Sequence, residues 1–298
     1  MNRFKCPACG GRKRGSLSEM LELNKIYNMD CLEGMKRIPD KSIDMILCDL
    51  PYGTTACKWD TVIPFEPLWE QYERVIKDNG AIVLFGMQPF TSALVMSNPK
   101  LFKYDWCWKK PRGTGHLNAN KQPLRDKEDI LVFYKRQPTY NPQYTRGEPY
   151  TSKGGKKSRV SKKGETTYGR FMIGREFAND NNGFRYPKQV LEFGVVERNT
   201  LHPTQKPVAL FEYLIKTYTL PGEVVLDNCI GSGTTAIACI NTGRNFIGIE
   251  IDEKYVKIAR ERIKKHKKLD KMRLFPISEL ETGKLQYKGL FEPGDEEE

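Results

Sequence analysis

An aspartate and a tyrosine three residues apart, in Asp49-Leu50-Pro51-Tyr52, follow a short apolar run from Ile43 to Cys48. That run has the length and character of a buried strand, and Pro51 and Gly53 mark the turn that leaves it. In an open α/β sheet, ligands bind beyond the carboxyl ends of the strands, which puts Asp49 and Tyr52 in a crevice rather than a core. A carboxylate beside an aromatic face suits a planar substrate bearing an amino group, such as a nucleobase. The lone pair of an exocyclic amine is delocalised into its ring and becomes nucleophilic only when acceptors hold the N–H bonds. Asp49 and the Leu50 carbonyl are the candidate acceptors. Pro51 pushes Leu50 out of the helical region, so backbone geometry aims that carbonyl whatever the Leu50 side chain does. Tyr52 is the candidate to stack on the base. Taken alone, the same residues also read as a polar turn leaving a strand.

A second constellation lies far downstream. The apolar stretch Val224-Val225-Leu226 runs into Asp227-Asn228-Cys229-Ile230-Gly231-Ser232-Gly233-Thr234-Thr235-Ala236, and a helix ending near Gly243 follows. Two glycines between a strand and a helix let a ligand lie against the backbone and meet the helix N-terminus, which favours an anionic group. A further strand, Phe246 to Ile249, ends at Glu250, about where such folds put an acceptor for ribose hydroxyls. Gly231-x-Gly233-x-x-Ala236 also satisfies the start of a nicotinamide-dinucleotide fingerprint, but that reading leaves Asp49 to Tyr52 unexplained.

The elements that must position these groups alternate. A short strand, Lys25 to Met29, leads to Asp30-Cys31, and the strand ending at Asp49 comes next. A helix is expected from Pro67, with Leu68, Trp69, Tyr72, Val75 and Ile76 at helical spacing and Gly80 as its stop. Strands are expected at Ala81 to Gly86, Tyr104 to Trp108 and Ile130 to Tyr134, then a helix from Val208 to Tyr218 and an amphipathic, basic helix from Glu253 to Lys268. The pattern predicts a doubly wound, mostly parallel α/β sheet.

The 298 residues, 39% hydrophobic and 29% charged, describe a globular protein, and no apolar run is long enough to span a bilayer. The start, Met1 to Cys6, has no hydrophobic signal region, so a cytoplasmic address is expected. The formal charge of +12 favours a polyanion partner, and its distribution is uneven. From Lys135 to Arg175 there are eleven Lys or Arg against Glu148 and Glu165. Within that stretch Lys153, Lys156, Lys157, Arg159, Lys162 and Lys163 are the candidate DNA-phosphate ligands, and Tyr140, Tyr144, Tyr150, Tyr168 and Tyr186 are available for stacking. Cys6 and Cys9 have the spacing of half a zinc site, but no second Cys-x-x-Cys completes it, and no metal is expected.

With Asp49-Leu50-Pro51-Tyr52, His202-Pro203-Thr204-Gln205-Lys206-Pro207 and Asp227 to Thr235 standing in this order, the chain resembles the β-class amino-group DNA methyltransferases. In that circularly permuted arrangement the catalytic motif precedes the cofactor loop. The resemblance implies a Rossmann-like methyltransferase sheet with a basic target-recognition insert, and S-adenosylmethionine as cofactor. It implies that Asp227, Asn228, Cys229, Gly231, Ser232, Gly233, Thr234 and Thr235 surround the methionine portion and that Glu250, with Ile251 beside it, reaches the ribose. Asp30 and Cys31 fall near the adenine ring, and His202, Thr204, Gln205 and Lys206 near the carboxylate end, with Asp49 bordering both ligands. Asp in the first motif position resembles the enzymes that methylate adenine N6, cytosine N4 being the alternative; a DNA-binding protein that has lost catalysis is the other. Leu50 stands where the family usually has proline, and Asn228-Cys229-Ile230 where Pro-Phe-x is more common. The implied organisation is a leader over 1–23, a catalytic half over 24–135, a recognition insert over 136–200, a cofactor half over 201–268 and a tail over 269–298. DNA is the expected partner, and a homodimer and a cognate restriction nuclease stay open.

Overall fold

A computed structural model describes residues 20–54, 60–151, 180–194 and 205–273. Eight strands form the main sheet: β1 (Lys25–Asn28), β2 (Ile43–Cys48), β3 (Ile76–Gly86), β4 (Phe102–Thr114), β5 (Arg125–Phe133), β10 (Val190–Glu192), β11 (Val224–Asp227) and β12 (Asn245–Glu250). Their order is β1-β12-β11-β2-β3-β5-β4-β10. Every pairing is parallel except those of β5 with β3 and β4, so β5 alone runs against the rest. The mostly parallel α/β sheet expected from the alternating pattern is therefore present. Between β5 and β10 lie β6 (Thr145–Arg146), β7 (Tyr150–Thr151), β8 (Asp180–Asn181) and β9 (Phe184–Arg185), paired as β6 with β9 and β7 with β8. The basic insert thus returns to the main sheet, because β10 lies within it and pairs with β4.

Strand alternation assigns the two faces of the sheet. Met45 and Leu47 of β2 and Ala81, Val83 and Phe85 of β3 pack with Leu210, Phe211 and Leu214 of α4 (Val208–Tyr218), Ala236 of α5 (Thr234–Thr242) and Val256 of α6 (Glu253–Arg273). Ile46 and Cys48 of β2, with Ile82 and Leu84 of β3, face Met35 of α1 (Cys31–Met35), Leu68, Trp69 and Tyr72 of α2 (Phe65–Val75) and Phe90 and Leu94 of α3 (Phe90–Ser97). Burying both faces explains why β2 has no polar alternation beyond Asp44. Asp44 is satisfied by Lys77 Nζ at 2.5 Å and the Val224 amide at 3.0 Å. No helix among the described residues is long and apolar enough to cross a membrane.

One expectation needs correction. Ile76 keeps the helical spacing of Tyr72, yet α2 ends at Val75 and Ile76 opens β3, paired with Ile43. Gly80 is accordingly no helix stop but a residue inside β3, where an added Cβ would lie 2.8 Å from the Asp44 carbonyl oxygen. Strand pairing and close backbone approach override the helical pattern.

Candidate functional site

Because β2, β11, β12 and β1 are parallel, Asp49, the Asp227 to Gly233 loop, Glu250 and Asp30 all emerge at one edge of the sheet. β5 runs the opposite way, so its first half reaches that same edge and delivers Glu128.

Asp49 is three-quarters buried on its side chain. Its Oδ1 accepts from the Tyr52 hydroxyl at 2.6 Å, and its Oδ2 lies 2.5 Å from Lys206 Nζ. The Tyr52 ring packs on Phe90 with centroids 5.1 Å apart and 29° between planes. Leu50 is buried, so its side chain belongs to the core and only its backbone faces the turn. The Asp60 carboxylate accepts from the Gly53 and Thr54 amides at 2.8 and 2.9 Å and ties down the chain after Tyr52.

Lys206 is 7% exposed on its side chain and stands between two carboxylates, Asp49 and, at 3.1 Å, Glu128 Oε2. Glu128 Oε1 pairs with Lys110, whereas Oε2 is within ion-pair distance of Lys206 but receives no well-directed hydrogen bond. Burial alone would lower the Lys206 pKa, but the attraction of Asp49 and Glu128 outweighs it and raises the pKa above the ordinary lysine value. Burial would likewise raise the Glu128 pKa, and Lys206 and Lys110 overcome this and hold it below the usual carboxylate range. The result is a buried chain of alternating charge, Lys110–Glu128–Lys206–Asp49, ending at the turn.

The glycine loop is built for close approach. Gly231 has φ of +51° and a Cβ direction that meets nothing within 4 Å, whereas at Gly233, with φ of +83°, an added Cβ would lie 3.0 Å from Ala259 Cβ. Gly233 caps α5 without a side chain, leaving first-turn amides to a ligand. Asp227 is buried and accepts from the Thr235 hydroxyl and, at 3.1 Å, from the Cys229 amide. Burial pushes its pKa up to about 7 against those hydrogen bonds. Glu250 accepts from the Gly231 amide at 2.9 Å through one oxygen and from the Asp252 amide at 2.9 Å through the other. Each oxygen retains a second lone pair for a ligand hydroxyl.

Asp30 caps α1, accepting from the Leu32 and Glu33 amides at 2.9 and 3.1 Å. Cys31 is buried against Cys229 and Asn228, and Cys48 also meets Cys229; burial pushes the Cys48 thiol up to about 12, so these sulfurs stay protonated. Asn228 accepts from the Tyr72 hydroxyl at 2.6 Å, which gives the residue standing in place of the common proline a fixed role. Ile251 is 64% exposed. His202, Thr204, Cys6, Cys9 and the lysines and arginine from Lys153 to Lys163 lie outside the described residues.

The two loops are joined by consecutive residues. Gln205 accepts from the Ser232 hydroxyl at 3.4 Å, and Lys206 holds Asp49. Lys206 therefore turns toward the carboxylate of the first motif. Sequence reading missed Glu128 and Lys110, and also Arg262, whose Nη1 donates to the Ser232 carbonyl at 3.1 Å and to Thr234 Oγ1 at 3.2 Å.

Comparison with known proteins shows relatives in sequence and in fold. The family model described as DNA methylase, covering N6 and N4 amino-methyltransferases, matches residues 43–261. The chain is 32% identical over 262 residues to the Type II methyltransferase M1.MboII of Moraxella bovis, covering 80% of this chain and 96% of that one. It is 30% identical over 253 residues to M.HpaI of Haemophilus parainfluenzae, covering 78% and 72%. Among solved structures, the M1.HpyAVI–SAM complex superposes with a TM-score of 0.53 at 25% identity, over 80% of this chain and 98% of that one. The cytosine-N4-specific PvuII DNA methyltransferase gives 0.57 at 16% identity, over 81% and 86%, a likeness of fold.

Proposed function

The chain belongs to the N6/N4 DNA methylase family, and from that premise we propose that it transfers a methyl group to N6 of an adenine flipped out of DNA. At the family level it is a DNA methyltransferase with S-adenosylmethionine as cofactor. The observation that supports amino-methyl transfer is the bridge of Gln205 and Lys206 between the Ser232 loop and Asp49, which brings the glycine loop and the Asp49 turn together. Asp in the first motif position favours adenine over cytosine.

The residues present fit the cofactor chemically. Gly231 leaves its face open, Asp227 and Glu250 supply carboxylates for an ammonium group and for hydroxyls, and α5 offers free amides to a carboxylate. When bound, S-adenosylmethionine supplies a methyl group already activated by its sulfonium charge. The protein must then align the amine and localise its lone pair. Tyr52 donates to Asp49 Oδ1, so an incoming base amine replaces that hydroxyl. Asp49 and the Leu50 carbonyl then accept the two amino hydrogens, and Tyr52, backed by Phe90, stacks on the base. Lys206 fixes Asp49 through Oδ2, and Glu128 balances the lysine so that Asp49 keeps its negative field toward the nitrogen as positive charge develops there. The amine proton leaves by way of Asp49 as or after the methyl arrives.

Plasmid DNA treated with the enzyme and S-adenosylmethionine, digested to nucleosides and weighed by mass spectrometry, should contain N6-methyladenine. Methyl groups found only on cytosine would overturn the adenine assignment, and unmodified DNA would overturn the activity.

A further inference from the structure

The hairpin joining β4 and β5 has features that the site does not use. β4 runs toward the edge carrying Asp49, and the hairpin continues past it: Trp108 pairs with Glu128, Lys109 with Lys127 and, after a register shift, Thr114 with Arg125. Arg125 lies three residues beyond Glu128, so the tip begins roughly 10 Å outside the Glu128–Lys206–Asp49 chain at the ordinary strand rise. From Lys109 to Arg125 there are five Lys or Arg and no Asp or Glu. Lys109 pairs with Glu192, Lys110 with Glu128, and Arg125 rests on the Met87 sulfur at 3.8 Å. Arg112 and Lys121 make no side-chain hydrogen bond or ion pair with any described residue.

The tip is ordered by its own backbone. Gly115 turns the chain with φ of +93° into a short 3-10 turn at His116–Asn118, and the Asn118, Ala119, Lys121 and Gln122 amides bond back to Gly115, His116 and Asn118 at 2.9–3.1 Å. That turn presents Leu117 with a relative exposure of 101%, an apolar side chain fully in solvent, with Arg112 before it and Lys121 after it in sequence. A single exposed leucine is common. An ordered hairpin tip without acids that carries one at its apex, just outside a pocket for a flipped base, has the chemistry of a duplex-DNA wedge, apolar at the point and cationic on the flanks.

We propose that this hairpin engages duplex DNA beside the target nucleotide, Arg112 and Lys121 neutralising backbone phosphates and Leu117 entering the base stack that the flipped base leaves. The assignment rests on the DNA-methylating reading above and concerns residues other than Lys153 to Lys163. It predicts a division of labour, in which the cations contribute affinity and the leucine holds the target base out.

The test uses the full chain and a short duplex carrying the sequence that the wild-type enzyme methylates, mapped first on plasmid DNA. For the Arg112→Gln/Lys121→Gln double variant, the plot of log affinity against log salt should flatten by about 1.8, two phosphate contacts at about 0.9 each. Leu117→Ala should lose about tenfold in turnover on the paired duplex, and turnover should recover when the target base is mispaired or single-stranded, where no wedge is needed. Cofactor affinity, measured by calorimetry, should be unchanged in all variants and reports that they are folded. An unchanged salt slope, or a Leu117→Ala loss that is equal on paired and mispaired targets, would overturn the proposal. Failure of the wild-type enzyme to methylate any DNA would instead overturn the activity on which the proposal rests.

Discussion

Glu128→Gln isolates the charge chain behind Asp49. The substitution keeps the shape of a side chain only 7% exposed and removes one of the two anions on Lys206. At 3.1 Å and an effective dielectric of about 20, that pair is worth about 5 kcal/mol of Coulomb energy. Breaking one side of a buried pair typically costs about 3–5 kcal/mol. Taking about 3 kcal/mol, and about 2–4 °C per kcal/mol for a domain of this size, the unfolding midpoint should fall by about 6–12 °C at pH 7. The difference has a definite pH dependence. Glu128 has a folded pKa below its unfolded value, because Lys206 and Lys110 outweigh burial. Its contribution is therefore complete above the unfolded value of about 4.3 and lost as pH falls through the lower folded value. Thermal unfolding of both proteins from pH 7 to pH 3 should show the gap closing only below about pH 4. No gap at pH 7, or one that persists unchanged at pH 3, would refute the reasoning. Turnover should fall while cofactor affinity holds, because Lys206 then draws on Asp49 alone.

Asp49→Ala should abolish methyl transfer and leave cofactor binding measurable by calorimetry, since its contacts are to Tyr52 and Lys206 and not to the glycine loop; full activity would remove it from the mechanism. Asp227 has the opposite pH sign to Glu128: burial raises its folded pKa to about 7, so its contribution is present below the unfolded value and lost as pH rises through about 7. Asp227→Asn should accordingly gain on the wild type in unliganded thermal stability between pH 5.5 and pH 8, and a pH-independent difference would contradict this. Deleting Lys153 to Lys163 should weaken DNA binding by roughly tenfold or more at low salt and leave cofactor affinity intact, as measured by fluorescence anisotropy and calorimetry.

The parts of the site legible in sequence are those coded locally. The apolar run ending at Cys48 had to become a buried strand, and Gly231 and Gly233 occupy positive φ where the strand-to-helix turn demands it. What could not be read depends on strands distant in sequence. Arg125-Asp126-Lys127-Glu128-Asp129 looks like a charged loop ahead of Ile130 to Phe133, and only the reversed direction of β5 buries Glu128 beside Lys206. Ile76 misled in the other direction, since its helical spacing is real but its pairing with Ile43 is non-local. Glu250 ends β12 as expected, and the Gly231 and Asp252 amides hold its two oxygens, a bracing that no sequence pattern announces.

The strand order also bears on how the enzyme could be divided. β1 does not touch β2; β12 and β11, from the far side of the basic insert, lie between them. A polypeptide cut within that insert would leave a first fragment whose β1 has lost its bonded neighbour and a second whose β11 has lost β2. Neither fragment holds both Asp49 and Gly231. Methylation would return only when the two pieces found each other, which makes this sheet a natural template for a conditional, two-part reporter of proximity on DNA.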